Sequence, residues 1–224
     1  MISYDDGFNA NGGADSFGGP GGGPGGSRGA QSNSQEAAEE TAQDTPNLII
    51  NGGNIYVNAV GDGLDSNGNI MVTGGYTVVD GPTSSFNGPL DGGTENGGEI
   101  LITGGTVFAG GASGMAETFD ASSEQCSFLI TFPGTYQKGM EILITAADGT
   151  ELFRHTVASS GNSVVFSCPE LVQGETYVLR VDAGDTVYDY ELTMDQMSNH
   201  FRASSDGSVT ASASSSSWGR MPGR

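Results

Sequence analysis

The chain has 224 residues, of which 38 are glycine, and its 27 acidic and 7 basic side chains give a formal net charge of −20. A surface of that sign repels nucleic acid and anionic membranes, so we expect neither as a partner. No stretch is long and apolar enough for a membrane-spanning helix, and we expect no membrane insertion. Between Arg28 and Lys138 there is no Lys or Arg, which limits the chemistry available to that interval.

The first two segments predict little core structure of their own. Residues 1–13 include Asp6-Gly7-Phe8-Asn9, a pattern that returns later in the chain, and predict the remnant of a β-helix coil. No basic start followed by an apolar run marks a signal peptide. We therefore expect an extracellular or cell-surface protein whose signal and upstream coils lie in a missing N-terminal part. Residues 14–46, Gly/Pro-rich and then acidic, predict a disordered insertion.

Residues 47–124 contain three copies of one pattern, in which two short β-type runs flank a Gly-Gly corner. The copies begin at residues 48, 70 and 100, a spacing that is typical of a solenoid repeat. Period-two alternation predicts strands, and stacking of the copies would bury an aliphatic ladder of Ile50, Val72 and Ile102. We therefore predict an all-β fold that contains a right-handed parallel β-helix. A β-sandwich or propeller with coincidental Gly-Gly turns is the alternative.

The rhythm of the sequence changes after residue 124. Six further strands are predicted at residues 128–132, 141–146, 151–157, 163–167, 176–181 and 186–193. Asp148-Gly149 is a strong hairpin signal between the second and third of these strands. Residues 125–195 thus predict a small antiparallel β domain or cap, and the Ser-rich residues 196–224 predict a disordered tail. Cys126 and Cys168 form either a disulfide, as an even count in an extracellular chain allows, or two buried free thiols.

The turns that follow the repeats bring acidic side chains into register. Leu64, Leu90 and Met115 recur at a spacing of about one copy and predict a stacked ladder. Asp65 and Asp91 each follow one of these leucines, so they would lie about 5 Å apart on neighbouring strands. Two carboxylates that close require a proton or a cation between them.

With no Lys or Arg nearby, the cation expected there is Ca²⁺, which prefers carboxylate, amide and carbonyl oxygens. The pattern Asp62-Gly63-Leu64-Asp65-Ser66-Asn67 looks like a metal loop. However, Thr73 occupies the place of the bidentate Glu of an EF-hand, so an EF-hand is rejected. The other interpretation is that these Asp, Asn and Gly residues only form turns.

These motifs resemble those of a bacterial family, the carbohydrate-binding domain-containing proteins, over about residues 47–195 and 4–13. The resemblance is carried by the Thr-Gly-Gly corners and by Gly61-Asp62-Gly63-Leu64-Asp65-Ser66-Asn67-Gly68, Gly88-Pro89-Leu90-Asp91 and Ala109-Gly110-Gly111-Ala112-Ser113-Gly114-Met115-Ala116. It implies a secreted right-handed β-helix with a pectate-lyase-like fold that binds Ca²⁺ and acidic polysaccharide of the polygalacturonate type. It also implies that Asp62, Asp65, Asn67 and Asp91 are calcium ligands.

Three classes of function follow from these expectations. The first is non-catalytic, Ca²⁺-dependent carbohydrate binding, with Tyr56, Tyr76 and Phe108 either facing a sugar or simply covering the sheet. The second is a structural, adhesin-like spacer at the cell surface. The third, a polysaccharide lyase, needs an Arg or Lys base that the repeats do not contain, and a calcium site explains the carboxylates with fewer assumptions than a hydrolase pair. We therefore predict a protein that is not an enzyme.

Overall fold

The computed structural model describes residues 1–10, 45–94, 97–182 and 187–212. Strands dominate this part of the chain, so the fold is all-β as predicted. In chain order the strands are β1 Ile2–Ser3, β2 Phe8–Ala10, β3 Asn47–Ile50, β4 Asn54–Ala59, β5 Leu64–Ser66, β6 Asn69–Val72, β7 Tyr76–Asp80, β8 Leu90–Gly92, β9 Ile100–Ile102, β10 Thr106–Gly111, β11 Ser127–Tyr136, β12 Glu141–Ala146, β13 Glu151–Thr156, β14 Gly161–Ser167, β15 Thr176–Asp182, β16 Val187–Thr193, β17 Ser198–Ala203 and β18 Val209–Ala211. Most of the predicted insertion and residues 213–224 of the predicted tail lie outside the described residues.

The first ten strands form three sets of parallel pairs, because every third strand of the repeats pairs with its equivalent. The sets are β1-β4-β7-β10, β2-β5-β8 and β3-β6-β9. The register is the one that the sequence copies predict, with Ile50 opposite Val72 and Val72 opposite Ile102. All three side chains are buried. One aliphatic core therefore runs along the stacked repeats, as expected when a single repeat cannot cover its own apolar face.

The Gly-Gly corners have the backbone that their sequence predicts. Gly53, Gly75 and Gly105 have φ values of 91°, 95° and 91°, a region that side-chain-bearing residues rarely adopt. The corners also stack closely, since a Cβ on Gly75 would lie 2.7 Å from the carbonyl carbon of Gly52. Glycine is thus required at the second and third corners both for conformation and for space.

The ladder predicted for Leu64, Leu90 and Met115 is wrong at its third position. Leu64 and Leu90 are register partners and are fully buried, but the Met115 side chain is 51% exposed. Residues 112–120 form no strand, so nothing extends the alternation of inward and outward side chains beyond Leu90. The buried ring of Phe119 lies in the repeat core instead.

The second half of the chain contains the six strands predicted between residues 128 and 193, as β11 to β16. Four of them form an antiparallel sheet in the order β13-β12-β15-β16, with a hairpin at Asp148-Gly149 between β12 and β13. The other two, β11 and β14, belong to a different sheet. Strand β14 pairs antiparallel with β10, the last parallel strand, and with β11 on its other side. One eight-stranded sheet therefore crosses the predicted boundary at residues 124 and 125.

The prediction of disorder from residue 196 onwards is wrong for its first part. Strand β17 pairs in parallel with β11, and β18 pairs antiparallel with β17. Phe201 and Ala203 alternate into a second, aromatic-rich core between the eight-stranded and four-stranded sheets. The serine-rich composition favoured a prediction of disorder, although residues 198–203 contain a short period-two pattern. No helix in the described ranges is long and apolar enough to cross a membrane.

Candidate functional site

Two carboxylates lie side by side on the outer surface of the repeats. Strands β5 and β8 pair in parallel, with Leu64 opposite Leu90 and Asp65 opposite Asp91. The leucines point into the core, and the aspartates are only partly buried. On the other edge of β5, Asn9 of β2 is the register partner of Asp65. Neighbouring strands lie about 4.8 Å apart, so Asn9, Asp65 and Asp91 form one row of oxygen-bearing side chains.

A second row of carboxylates connects the backbones of successive repeats. Asp6 Oδ1 accepts a hydrogen bond from the Asp62 backbone N–H at 2.8 Å, and Asp62 Oδ1 accepts one from the Gly88 N–H at 2.6 Å. Asp6 Oδ2 also accepts from Asn9 Nδ2 at 2.7 Å. Burial raises the pKa of Asp62, and the negative charges of Asp6 and Asp5 raise it further against the lowering effect of the Gly88 N–H. Asp62 thus accepts a hydrogen bond from the backbone of the next repeat, while its burial disfavours the ionised carboxylate.

The raised pKa of Asp62 predicts a pH dependence of stability. The folded protein keeps the Asp62 proton to a higher pH than the unfolded chain does, so Asp62 makes the folded state less stable as pH rises through the interval above 3.8. We expect Asp62→Asn to remove this loss, because the amide oxygen still accepts the Gly88 hydrogen bond but does not titrate. Urea unfolding from about pH 3.5 to 6.5 in chelator would measure the difference in slope.

Asp148→Asn is the matched control for that experiment. Asp148 is fully exposed in the β12–β13 turn, and hydrogen bonds from Thr150 lower its pKa. Ionisation of Asp148 therefore makes the folded state more stable as pH rises, whereas ionisation of Asp62 makes it less stable. Equal slopes for the wild-type protein and Asp62→Asn would contradict the role assigned to Asp62.

The remaining predicted metal ligand, Asn67, is exposed directly after β5. Among the described residues, no three His, Cys, Asp or Glu side chains converge as a metal-binding group. Any cation at the row would therefore combine the Asp65 and Asp91 carboxylates with amide and backbone carbonyl oxygens, a donor set that Ca²⁺ accepts.

The three aromatic side chains predicted to face outward do not share one environment. Phe108 is fully buried, with its ring stacked on that of Phe153 at 4.9 Å and 15°, so its predicted exposure is wrong. The four-stranded sheet covers this face of β10. Tyr56 and Tyr76 are 42% and 41% exposed, and the Tyr76 ring packs 6.1 Å from that of Phe153. They lie at the margin of the covered face.

A polar cluster around the buried Asp80 joins the two halves and has no counterpart in the sequence-based predictions. Asp80 of β7 is 1% exposed, and its Oδ2 lies 2.9 Å from Nε2 of His155 on β13. The Tyr56 hydroxyl donates to the same oxygen at 2.7 Å. Burial, with the hydrogen bond to Asp80 and its charge, raises the pKa of Tyr56 well above its ordinary value. No sequence motif connects these three residues, which lie far apart in the chain.

Both cysteines are buried free thiols, so the disulfide, one of the two alternatives, is not formed. Burial raises the pKa of Cys168 to about 12, with a further contribution from Glu170, and burial also raises that of Cys126. Because the thiolate is the reactive form, these cysteines are poor nucleophiles. Their side chains belong to the aromatic-rich core.

Comparison with known proteins adds no relative to this description. No protein-family model, curated protein or solved structure matches the chain.

Proposed function

We propose that this protein is an extracellular, non-catalytic carbohydrate-binding protein whose repeats form a right-handed parallel β-helix and hold acidic polysaccharide through Ca²⁺. The observation that carries the proposal is the register pairing of Asp65 with Asp91 on the outer surface. The three sets of parallel strands support the β-helix architecture. The sequence motifs resemble those of secreted proteins that bind polygalacturonate, which supports the choice of ligand.

We choose calcium as the cation because of the charge around the row formed by Asn9, Asp65 and Asp91. Two carboxylates at the spacing of neighbouring strands repel each other unless one is protonated or a cation lies between them. The interval from residue 29 to 137, which contains both aspartates, has no Lys or Arg. A divalent cation with flexible oxygen coordination meets this need, and its residual positive charge can attract a further carboxylate.

An acidic ligand then becomes compatible with an acidic protein. A chain with a formal charge of −20 repels a polyuronate, but cations shared between protein and sugar carboxylates reverse that interaction locally. Elimination chemistry on such a polymer needs a strong base beside the uronate carboxyl group. The repeats supply carboxylates for binding and no Lys or Arg for that step.

Calorimetric titration tests the proposal in two stages. Ca²⁺ is first titrated alone into the wild-type protein, Asp65→Asn, Asp91→Asn and the double variant. Polygalacturonate is then titrated with millimolar Ca²⁺ or with excess chelator. We expect polysaccharide binding only with Ca²⁺, and at least about tenfold weaker binding in each single variant, because charged metal ligands are lost.

Asp148→Asn removes the same charge from an exposed turn in the other half of the molecule and should bind as the wild-type protein does. Calcium binding without polysaccharide binding would instead favour a calcium-rigidified structural spacer. Binding that is equal in chelator, or equal in Asp65→Asn and Asp91→Asn, would overturn the proposed site. Release of products absorbing in the ultraviolet would indicate a lyase.

A further inference from the structure

An open cleft of about 370 Å³ lies in the second half of the molecule, at the rim between the eight-stranded and four-stranded sheets. Its walls are an edge strand, β16, and the segment of β11 where the pairing with β14 shifts register between Thr131 and Tyr136. The volume is in the usual range for small-molecule sites, about 300–1,000 Å³.

Four aromatic rings follow one another along the cleft. Tyr188 and Tyr190 are two residues apart in β16 and therefore lie on the same face of the strand. Their rings are nearly parallel, with centroids 6.0 Å apart and an interplanar angle of 10°. The Phe132 ring lies 5.5 Å from that of Tyr190 at 46°, and 6.1 Å from that of Tyr136 at 80°. Tyr190 and Tyr136 are buried and form the floor, whereas Tyr188 and Phe132 are half-buried and form the accessible walls.

The polar groups of the cleft are hydroxyls. Thr135 and Ser205 lie exposed at its rim, and none of the described side chains that line it is charged. The phenol hydroxyl of Tyr136 donates to the Ser163 carbonyl at 3.0 Å and so is already used. Those of Tyr188 and Tyr190 have no hydrogen-bond partner within the described part of the chain. The cleft thus offers apolar ring faces edged by neutral hydrogen-bonding groups.

We propose that this cleft is a second saccharide site, one that binds neutral pyranose units without Ca²⁺. A pyranose has an apolar face of C–H groups and a rim of hydroxyls, which matches ring faces edged by hydroxyls. The described lining contains no Lys or Arg, and the formal charge of −20 also disfavours an anionic ligand here. The inference does not rest on the proposed calcium site, which lies in the other half of the molecule.

Two sites of this kind would act on one polymer. The acidic row would hold uronate residues, and the cleft would hold neutral sugar units on the same or a neighbouring chain. Simultaneous engagement raises the apparent affinity through effective concentration even if each site alone is weak.

Saturation-transfer NMR in chelator tests the cleft with defined probes: cellobiose and methyl β-galactopyranoside as neutral sugars, galacturonate as the anion and choline as the cation. We expect signals from at least one neutral sugar and none from galacturonate. Tyr188→Ala should weaken that binding about fivefold or more, since it removes an accessible stacking surface. Tyr188→Phe should retain most of it.

Two further variants keep the test decisive. Gly134 lines the cleft, and a Cβ there would meet nothing within 4 Å, so Gly134→Trp should fold and obstruct binding. Tyr4→Ala removes an exposed tyrosine in the repeat half of the molecule and should leave sugar binding unchanged. Failure of all neutral probes, equal binding by Tyr188→Ala, or binding of choline alone would overturn the proposal, the last by indicating a cation-binding aromatic cage. Asp65→Asn/Asp91→Asn, which tests the calcium site, should not affect this signal.

Discussion

Gly75→Ala is expected to lower the free energy of unfolding by about 3 kcal/mol, whereas Gly53→Ala should lower it by about 1 kcal/mol. Both glycines have positive φ, so an alanine is strained at either position. Only at Gly75 would the new methyl group also collide with backbone, 2.7 Å from the carbonyl carbon of Gly52 and 2.8 Å from the carbonyl oxygen of Gly53. A Cβ on Gly53 would meet nothing within 4 Å.

Urea unfolding followed by circular dichroism would measure both losses, with Gly53→Ala as the control for conformational strain alone. Gly105→Ala should behave as Gly75→Ala does, because its Cβ would lie 2.7 Å from the Gly74 carbonyl carbon. Similar losses for Gly53→Ala and Gly75→Ala would mean that the spacing between repeats relaxes easily, contrary to the close stacking described above.

His155→Leu is expected to lower the free energy of unfolding by about 3 kcal/mol near neutral pH. The substitution leaves the Asp80 carboxylate buried with the Tyr56 hydroxyl as its remaining partner in this cluster. A buried carboxylate that loses a hydrogen-bonding partner keeps its desolvation cost without compensation. Because Asp80 and His155 come from the two halves of the molecule, the loss measures how firmly the halves are joined.

Two variants separate charge burial from packing at this cluster. Tyr56→Phe removes one hydrogen bond at a partly exposed side chain and should cost only about 1 kcal/mol. Asp80→Leu combined with His155→Leu removes the buried charge and should recover much of the stability lost in His155→Leu alone. If the stability lost by the double variant equals the sum of the losses of Asp80→Leu and His155→Leu, each measured against the wild-type protein, the two residues do not interact as described.

The repeats were predictable because their signals are local. Alternation at Leu48 and Ile50 sets which side chains enter the core, and a Gly-Gly corner sets where the chain turns. Repetition of both signals then sets the register, so the Asp65 and Asp91 pairing followed from counting residues. The same local logic found the β12–β13 hairpin through Asp148-Gly149.

The errors arose where a distant part of the chain decides the outcome. Phe108 is buried because the four-stranded sheet covers β10, and a strand covered on both faces has no polar alternation to reveal which face is outward. Asp80 and His155 meet only after both halves have folded. For Ser198 to Ala203, composition outweighed a short alternation that pairing with β11 stabilises.

The antiparallel pairing of β14 with β10 ends the set of parallel strands on that side of the repeats. Strand β14 uses the hydrogen-bonding edge of β10, and β11 and β17 continue outward from it. That side cannot accept another parallel strand or a second molecule through β10. An added or deleted repeat on the side of β1 would leave this junction unchanged. The length of the repeat stack can therefore change without altering the β10–β14 pairing.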